Sequence, residues 1–432
     1  MGLSLGFHII FAAVGVALPA LMVIADLLYL RTRDPEYLTL SKQLAKGTSI
    51  LFAVGAVSGT VLSFELGLLW PRFMGTFGEA IGLPFALEGF AFFTEAIFLG
   101  IYLYGRGRVS QRLHLASGVA VALSGAASAL FVTLVNAFMN NPAGVVAEGT
   151  RLHFDPVAAM ASPSWSYQAV HVLLASYQAT AWAMVGIHAA FLLRDPARTL
   201  HRKALAIALP VACFTALVQP LSGDRSAKHV AAAQPLKLAA LEAQLRTQTA
   251  APLHVGGWPD LETGVIRGAL AIPGALSFVA FGDCRAEVKG LQAFPRSDWP
   301  PVVAVRTAFQ VMVGAGLAMA GLALLSVALA LRRRGLPNGR LWLAALAAAG
   351  PLGLVALEAG WLVTEWGRQP WIVRGLMRTE QAVTDFPYKA APFWLFTVVY
   401  LLLAVAVVYL LMRQILHAHR AGFVRAADGG VV

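Results

Sequence analysis

Cysteine and charge are what this chain has least of. Two cysteines stand in 432 residues, Cys213 inside an apolar run and Cys284 in a loop, and no CxxC or CxxCH occurs. That excludes a disulfide framework, a cysteine-held iron–sulfur cluster and a covalently attached c-type haem. Charged residues make up 13% of the chain against 58% hydrophobic ones. So few charges cannot cover a water-soluble globule, and the chain is an integral membrane protein. Acidic residues are scarcer than basic ones, 22 against 33, for a formal net charge of +11. The Lys and Arg fall in short clusters between apolar runs, which is an inner-leaflet charge bias and excludes a nucleic-acid surface. No internal repeat or low-complexity tract occurs. No basic segment precedes the first apolar stretch, so a retained membrane helix is expected there and no cleaved signal peptide.

Runs long enough to cross a bilayer, about 20 residues each, lie at 3–30, 47–70, 86–104, 114–137, 167–193, 204–222, 304–331, 341–364 and 393–412. The expected fold class is all-α, with nine transmembrane helices. The apolar stretch 266–282 contains Pro273 and is bounded by Arg267 and Asp283, which makes it an interfacial or re-entrant piece of a long loop. Basic residues concentrate in the segments 31–46, 105–113, 194–203 and 332–340, whereas 71–85 and 138–166 carry only Arg72 and Arg151. The positive-inside rule then puts the N-terminus outside and the C-terminus inside. Three regions follow: helices 1 to 6 over 1–222, an outer loop over 223–303, and helices 7 to 9 with a cytoplasmic tail over 304–432.

The chemistry-bearing residues fall toward one face. With that orientation, His8, Glu88 at the start of helix 3, His171, Met312 and Glu365 all lie toward the outer side. Singly, each has a plain structural reading: a membrane histidine as an interhelical hydrogen bond, a methionine as packing, Glu365 and Arg368 as a local ion pair three residues apart. Together, two histidines, a methionine and a glutamate at one depth fit non-covalent haem better than zinc. A His and Met pair makes a six-coordinate electron-transfer haem, whereas a His or Glu alone leaves iron a free side for oxygen. Arg368 would suit haem propionates. Glu88 and Glu95 are seven apart, hence on one helical face and about 10 Å apart along the axis, where carboxylates mark an ion or proton path. Lys237 and Glu242 sit on a helix opened by Pro235 in the outer loop and read, by themselves, as a solvated amphipathic face.

The motifs GFHIIF, LEGFAFFTEAIFLG, YQAVHVLLASY, QPLKLAALE, EVKGLQAFP, FQVMVGAG and GWLVTEWGRQPW occur in this order. Over essentially its full length the chain resembles subunit I of cytochrome bd quinol oxidase. The resemblance implies a nine-helix subunit of a bacterial cytoplasmic (inner) membrane enzyme, with three haems near the outer face. His171 and Met312 match the axial ligands of haem b558, and His8 and Glu365 match ligands of the two high-spin haems, b595 and d, or a b haem in place of d. Trp361 matches the tryptophan between the haems, and Glu88 and Glu95 the acidic pair serving them and proton delivery. Lys237 and Glu242 match quinol-loop residues, which replaces the solvated reading. The implied reaction is oxidation of ubiquinol or another quinol at the outer loop, with oxygen reduced to water and protons drawn from inside, without a pump. The implied partners are a homologous subunit II and small single-helix accessory subunits. Gln310 stands where many members carry arginine, Arg106 where a tryptophan is common, and Glu65 and Leu69 place the chain nearer the cyanide-insensitive, short-loop branch. A proton-coupled secondary transporter is the alternative that intramembrane Glu and His leave open; it predicts an inverted repeat. A two-haem cytochrome b without an oxygen site is the other, and it would lack a glutamate ligand at Glu365.

Overall fold

The structure, a computed structural model, describes residues 1–148, 151–383 and 390–427. Its helices are α1 (Gly2–Thr32), α2 (Pro35–Leu69), α3 (Pro71–Gly105), α4 (Gln111–Asn140), the short α5 (Pro156–Met160), α6 (Trp165–Arg194), α7 (Thr199–Ala233) and α8 (Pro235–Glu242). There follow the short α9 (Ala275–Phe281), α10 (Val302–Arg333), α11 (Arg340–Ala349), α12 (Leu352–Trp366), the one-turn α13 (Thr379–Ala382) and α14 (Ala390–Ala427). Nine spans among the described residues are long and apolar enough to cross a membrane, with α11 and α12 together forming one. The end of the expected tail, 428–432, lies outside the described residues.

Local chemistry sets the helix ends. Asp34 accepts a hydrogen bond from the Glu36 N–H with Pro35 at the first helical position of α2, and Ser110 accepts from the Leu113 N–H at the start of α4. Between α11 and α12, Pro351 has no N–H to continue the ladder, and the span breaks after Gly350.

Helices α2, α3, α7 and α14 run well past the apolar stretches, and two of these extensions bear on the site. Helix α3 starts at Pro71, not near residue 86, because Arg72, Glu79 and the glycines in 71–84 lower the hydropathy without stopping a helix. Glu88 is therefore in the middle of its helix and not at the start. Helix α7 continues eleven residues past 222, through the charged stretch Asp224 to His229, into what reads as loop. The expected interfacial stretch 266–282 is instead two short strands followed by α9. Leu270–Ile272 pairs antiparallel with Leu253–Val255, and Ile266–Arg267 with Trp258–Pro259.

Small residues bring α12 onto α6. A Cβ on Gly353 would lie 2.6 Å from the Ala179 Cα, and one on Gly350 would lie 2.9 Å from the Gly186 Cα. Both contacts are with backbone, so no side-chain rotation can relieve them. Gly353→Ala is expected to cost about 1–3 kcal/mol and to lower the melting temperature of the detergent-solubilised protein. Gly55→Ala, where nothing lies within 4 Å of the added carbon, is expected to leave it unchanged.

Near the other end of the bundle, Asp26 on α1 is 1% exposed. It accepts from Arg106 at 2.9 Å and lies 3.1 Å from His114 Nδ1, while Ser41 bridges Asp26 and Tyr102. Arg106 thus compensates a buried carboxylate, which gives the charge at this position a structural reason.

Candidate functional site

The end of α12 and the residues after it carry a buried charge cluster. Arg368 donates to Glu365 Oε2 at 2.5 Å, and Asn136 of α4 donates to Glu365 Oε1 at 2.9 Å. Asn140, one turn beyond, donates to Asn136 and accepts from Lys237 Nζ at 3.2 Å. Lys237 also donates to the Thr364 carbonyl at 3.3 Å. The loop lysine is therefore no solvated group: it is 7% exposed and built into the Glu365 cluster through two amides. Gly367 makes this possible, since a Cβ there would lie 2.8 Å from Lys237 Cε. Burial, with the Arg368 and Arg374 guanidiniums, pushes the Lys237 ammonium down to about 7 against the opposing pull of Glu365.

Five residues along α8, Glu242 is 3% exposed and faces a different partner. Arg306 of α10 donates to its backbone carbonyl at 2.8 Å and stands 3.6 Å from its carboxylate. Burial pushes the Glu242 carboxyl up to about 7, with Arg306 opposing. Lys237 and Glu242 therefore share a helix but not a site.

The remaining predicted residues sit in close interhelical contacts. His8 Nδ1 lies 2.8 Å from Ser58 Oγ of α2, so Nε2 is the nitrogen that can face a ligand. His171 Nδ1 lies 3.3 Å from Ser222, and Gln219 donates to its Nε2 at 3.2 Å, both partners being on α7. Met312 Sδ lies 3.1 Å from where a Cβ on Gly360 would be, and Trp361 lies 3.2 Å from that position on Gly6. The turns of α1, α10 and α12 that carry Gly6, Met312 and Gly360 thus share one level. Glu88 accepts from Ser128 at 3.1 Å, and Glu95 lies against Gly125. Both carboxylates face α4, as their seven-residue spacing predicts, but deeper than Glu365: Ser128 is eight residues before Asn136, about 12 Å along the helix.

Sequence reasoning missed Asn136, Asn140, Arg306, Arg374 and Glu358. The amides belong to no motif, and their partners lie 229 and 97 residues away in the chain. Glu358 does precede Glu365 by seven residues, the same spacing as Glu88 and Glu95, and that signal was there to be used. It lies at an apolar groove of about 1110 Å³ between α10 and α12, which Trp258, Leu261 and Trp299 of the 223–303 loop also line.

The donor set fits haem. Arg368 pairs with the one carboxylate, Glu365, Lys237 joins them through Asn140 and Asn136 with Arg374 near it, and the Arg368 Nε and Nη1 atoms are buried with no hydrogen-bond partner. Such an excess of buried positive charge calls for further anionic oxygen, which propionates have. Imidazole, thioether and carboxylate side chains are among the iron ligands proteins use.

Comparison with known proteins gives consistent results. The family model described as cytochrome bd terminal oxidase subunit I matches residues 1–419. A Bacillus subtilis (strain 168) protein named putative cytochrome bd menaquinol oxidase subunit I is 38% identical over 419 residues, 95% of this chain and 94% of the relative. The cytochrome bd-II ubiquinol oxidase subunit 1 of Escherichia coli (strain K12) is 27% identical over 480 residues, 94% of this chain and 93% of that one. A solved structure of bd oxidase from Geobacillus thermodenitrificans superposes with a TM-score of 0.89 at 38% identity, covering 96% of each chain.

Proposed function

Because the chain belongs to the family of cytochrome bd terminal oxidase subunit I, we propose roles for its residues in the oxidation of quinol by oxygen. The protein is a multi-pass, haem-binding subunit of a quinol oxidase, an oxygen-reducing oxidoreductase that works with a partner subunit II. The transporter alternative has no support. In this reading the membrane is the bacterial cytoplasmic one and small single-helix subunits attach to the complex. The cofactors are haem b558, haem b595 and haem d, or a b haem in place of the last.

His171 and Met312 hold b558, and His8 and Glu365 hold the two high-spin haems. When bound, haem iron supplies one-electron transfer and the oxygen-binding position. Arg368, with Lys237 nearby, would neutralise the propionates of a bound haem, and Asn136 orients the Glu365 carboxylate. Trp361 fills the α1–α12 contact at Gly6. Glu88 and Glu95, stacked along one face of α3, hold protons for the four-proton reduction of oxygen to water. Glu242 accepts a proton from quinol on the outer side; its Oε2 is buried without a hydrogen-bond partner, an acceptor left for an arriving hydroxyl. The groove beneath Trp258 and Trp299 takes the quinol's apolar tail. Lys237 acts on the quinol site through the charge it carries at the base of α8.

The observation that carries this reading is the buried cation excess around Glu365. A dithionite-reduced minus air-oxidised spectrum of the protein, co-purified with subunit II from membranes, should show low-spin b and high-spin bands, and a featureless spectrum from folded protein would overturn it. Glu242→Gln should lower kcat/KM for a short-chain quinol with all haems retained. A base active only when ionised, with its carboxyl at about 7, makes the wild-type rate fall below that pH. The Glu242→Gln variant should lose this acid limb, and a pH profile identical to wild type would return Glu242 to a structural role.

A further inference from the structure

Arg306 is 1% exposed and lies in the second turn of α10. It is the one buried guanidinium among the described residues whose bonds all run to the outer loop. Nη1 donates to the Glu242 carbonyl at 2.8 Å, and Nη2 donates to the His254 carbonyl at 3.0 Å and the Gly256 carbonyl at 2.8 Å. Gln310, one turn further along the same face, accepts from the Gly256 N–H at 2.9 Å and donates to the His254 carbonyl at 3.4 Å. Gly256 has φ +70°, so the chain turns there and presents both its N–H and its carbonyl toward α10. The edge of the Leu253–Val255 hairpin is thus closed by two side chains of the helix that carries Met312, and α8 is fastened to the same point.

We propose that Arg306 is a positioning residue for quinol oxidation, fixing the Glu242 carboxyl at the quinol site and seating the loop over it. The proposal rests on Glu242 being the quinol proton acceptor. Three carbonyl contacts fix the guanidinium plane, and the plane in turn fixes where the carboxylate 3.6 Å away can sit. At that distance Arg306 forms no hydrogen bond to Glu242 Oε2, so it supplies charge without occupying the acceptor. The other charged groups on neighbouring elements point elsewhere. Lys228 of α7 pairs with Asp224 at 2.7 Å, His229 lies 2.9 Å from Ser164, and Lys237 of α8 itself belongs to the Glu365 cluster. His254 shares Arg306 through its carbonyl and lies under its field. Gln310, at a position where many members of the family carry arginine, bonds loop backbone.

The test compares Arg306→Met and Arg306→Lys with Glu242→Gln in the complex with subunit II, using a short-chain quinol. Arg306→Met should lower kcat/KM about tenfold and move its acid limb to higher pH, because Glu242 loses the cation that opposes its upward shift. Arg306→Lys should keep the limb in place while KM rises, since an ammonium cannot reach three carbonyls at once, and limited proteolysis should cut the loop near 256–268 faster. The reduced-minus-oxidised spectrum should stay unchanged in both. An acid limb that does not move in Arg306→Met, or a KM that does not rise in Arg306→Lys, overturns the proposal. If Glu242→Gln itself shows wild-type kinetics, the assignment of Glu242 has failed; if it is impaired while both Arg306 variants are normal, only the role of Arg306 has.

Discussion

Met312→Leu is expected to abolish the low-spin b absorption and quinol oxidation together. Leucine and methionine have similar volumes, and a swap of this kind costs less than about 1.5 kcal/mol, so the fold should survive. What disappears is the thioether. Met312 Sδ occupies a gap that exists only because residue 360 is glycine, and γ-branched leucine fills space there without offering a lone pair. An iron left with His171 alone would turn high-spin, and the band should vanish from the reduced-minus-oxidised spectrum with oxygen uptake from quinol. Gly360→Ala is the milder companion: a Cβ 3.1 Å from Sδ is tight enough to displace the sulfur by a few tenths of an ångström, and the band should weaken or shift. A normal low-spin spectrum in Met312→Leu would remove Met312 from the ligand set.

The spans were legible in the sequence because hydrocarbon selects on composition, and composition is what a sequence displays directly. Their ends were less so. Residues 71–84 and 224–233 carry enough charge and glycine to look like loop, yet a helix continuing beyond the hydrocarbon needs no apolar face, and α3 and α7 do continue. At the site, Glu365 and Arg368 announced their pairing through the i, i+3 rule. Lys237 and Glu242 gave the opposite impression: with charges five apart on a short helix, α8 looks solvated until tertiary contacts with Asn140 and Arg306 bury both. Arg306 belongs to no motif and carries no signal of its own in the sequence. Its role depends on three carbonyls from distant segments, and no local pattern records such a convergence.

Glu365→Ala should remove one high-spin haem and oxygen reduction while leaving the low-spin haem in place. The carboxylate has two tasks, and alanine cancels both. As a proposed iron ligand it supplies one oxygen, and as the counter-ion it pairs with Arg368 and holds up the charge of Lys237, with Asn136 fixing its plane. Removing it leaves Arg368, only 4% exposed, without its ion pair at 2.5 Å. Breaking one partner of such a buried pair typically costs about 3–5 kcal/mol. The pocket has one way to shed charge. Lys237 already lies at about 7, and Glu365 is the group holding it up against burial and the two arginines, so its loss should leave the lysine neutral at pH 7. That relief keeps the subunit folded and makes the haem count the informative quantity. Glu365→Gln separates the two tasks, since an amide keeps the shape and the contact with Asn136 but carries no charge and binds iron poorly. It should match the alanine variant in high-spin haem content while melting at a higher temperature. Full high-spin content and normal oxygen uptake in both variants would confine Glu365 to the ion pair and assign the iron elsewhere.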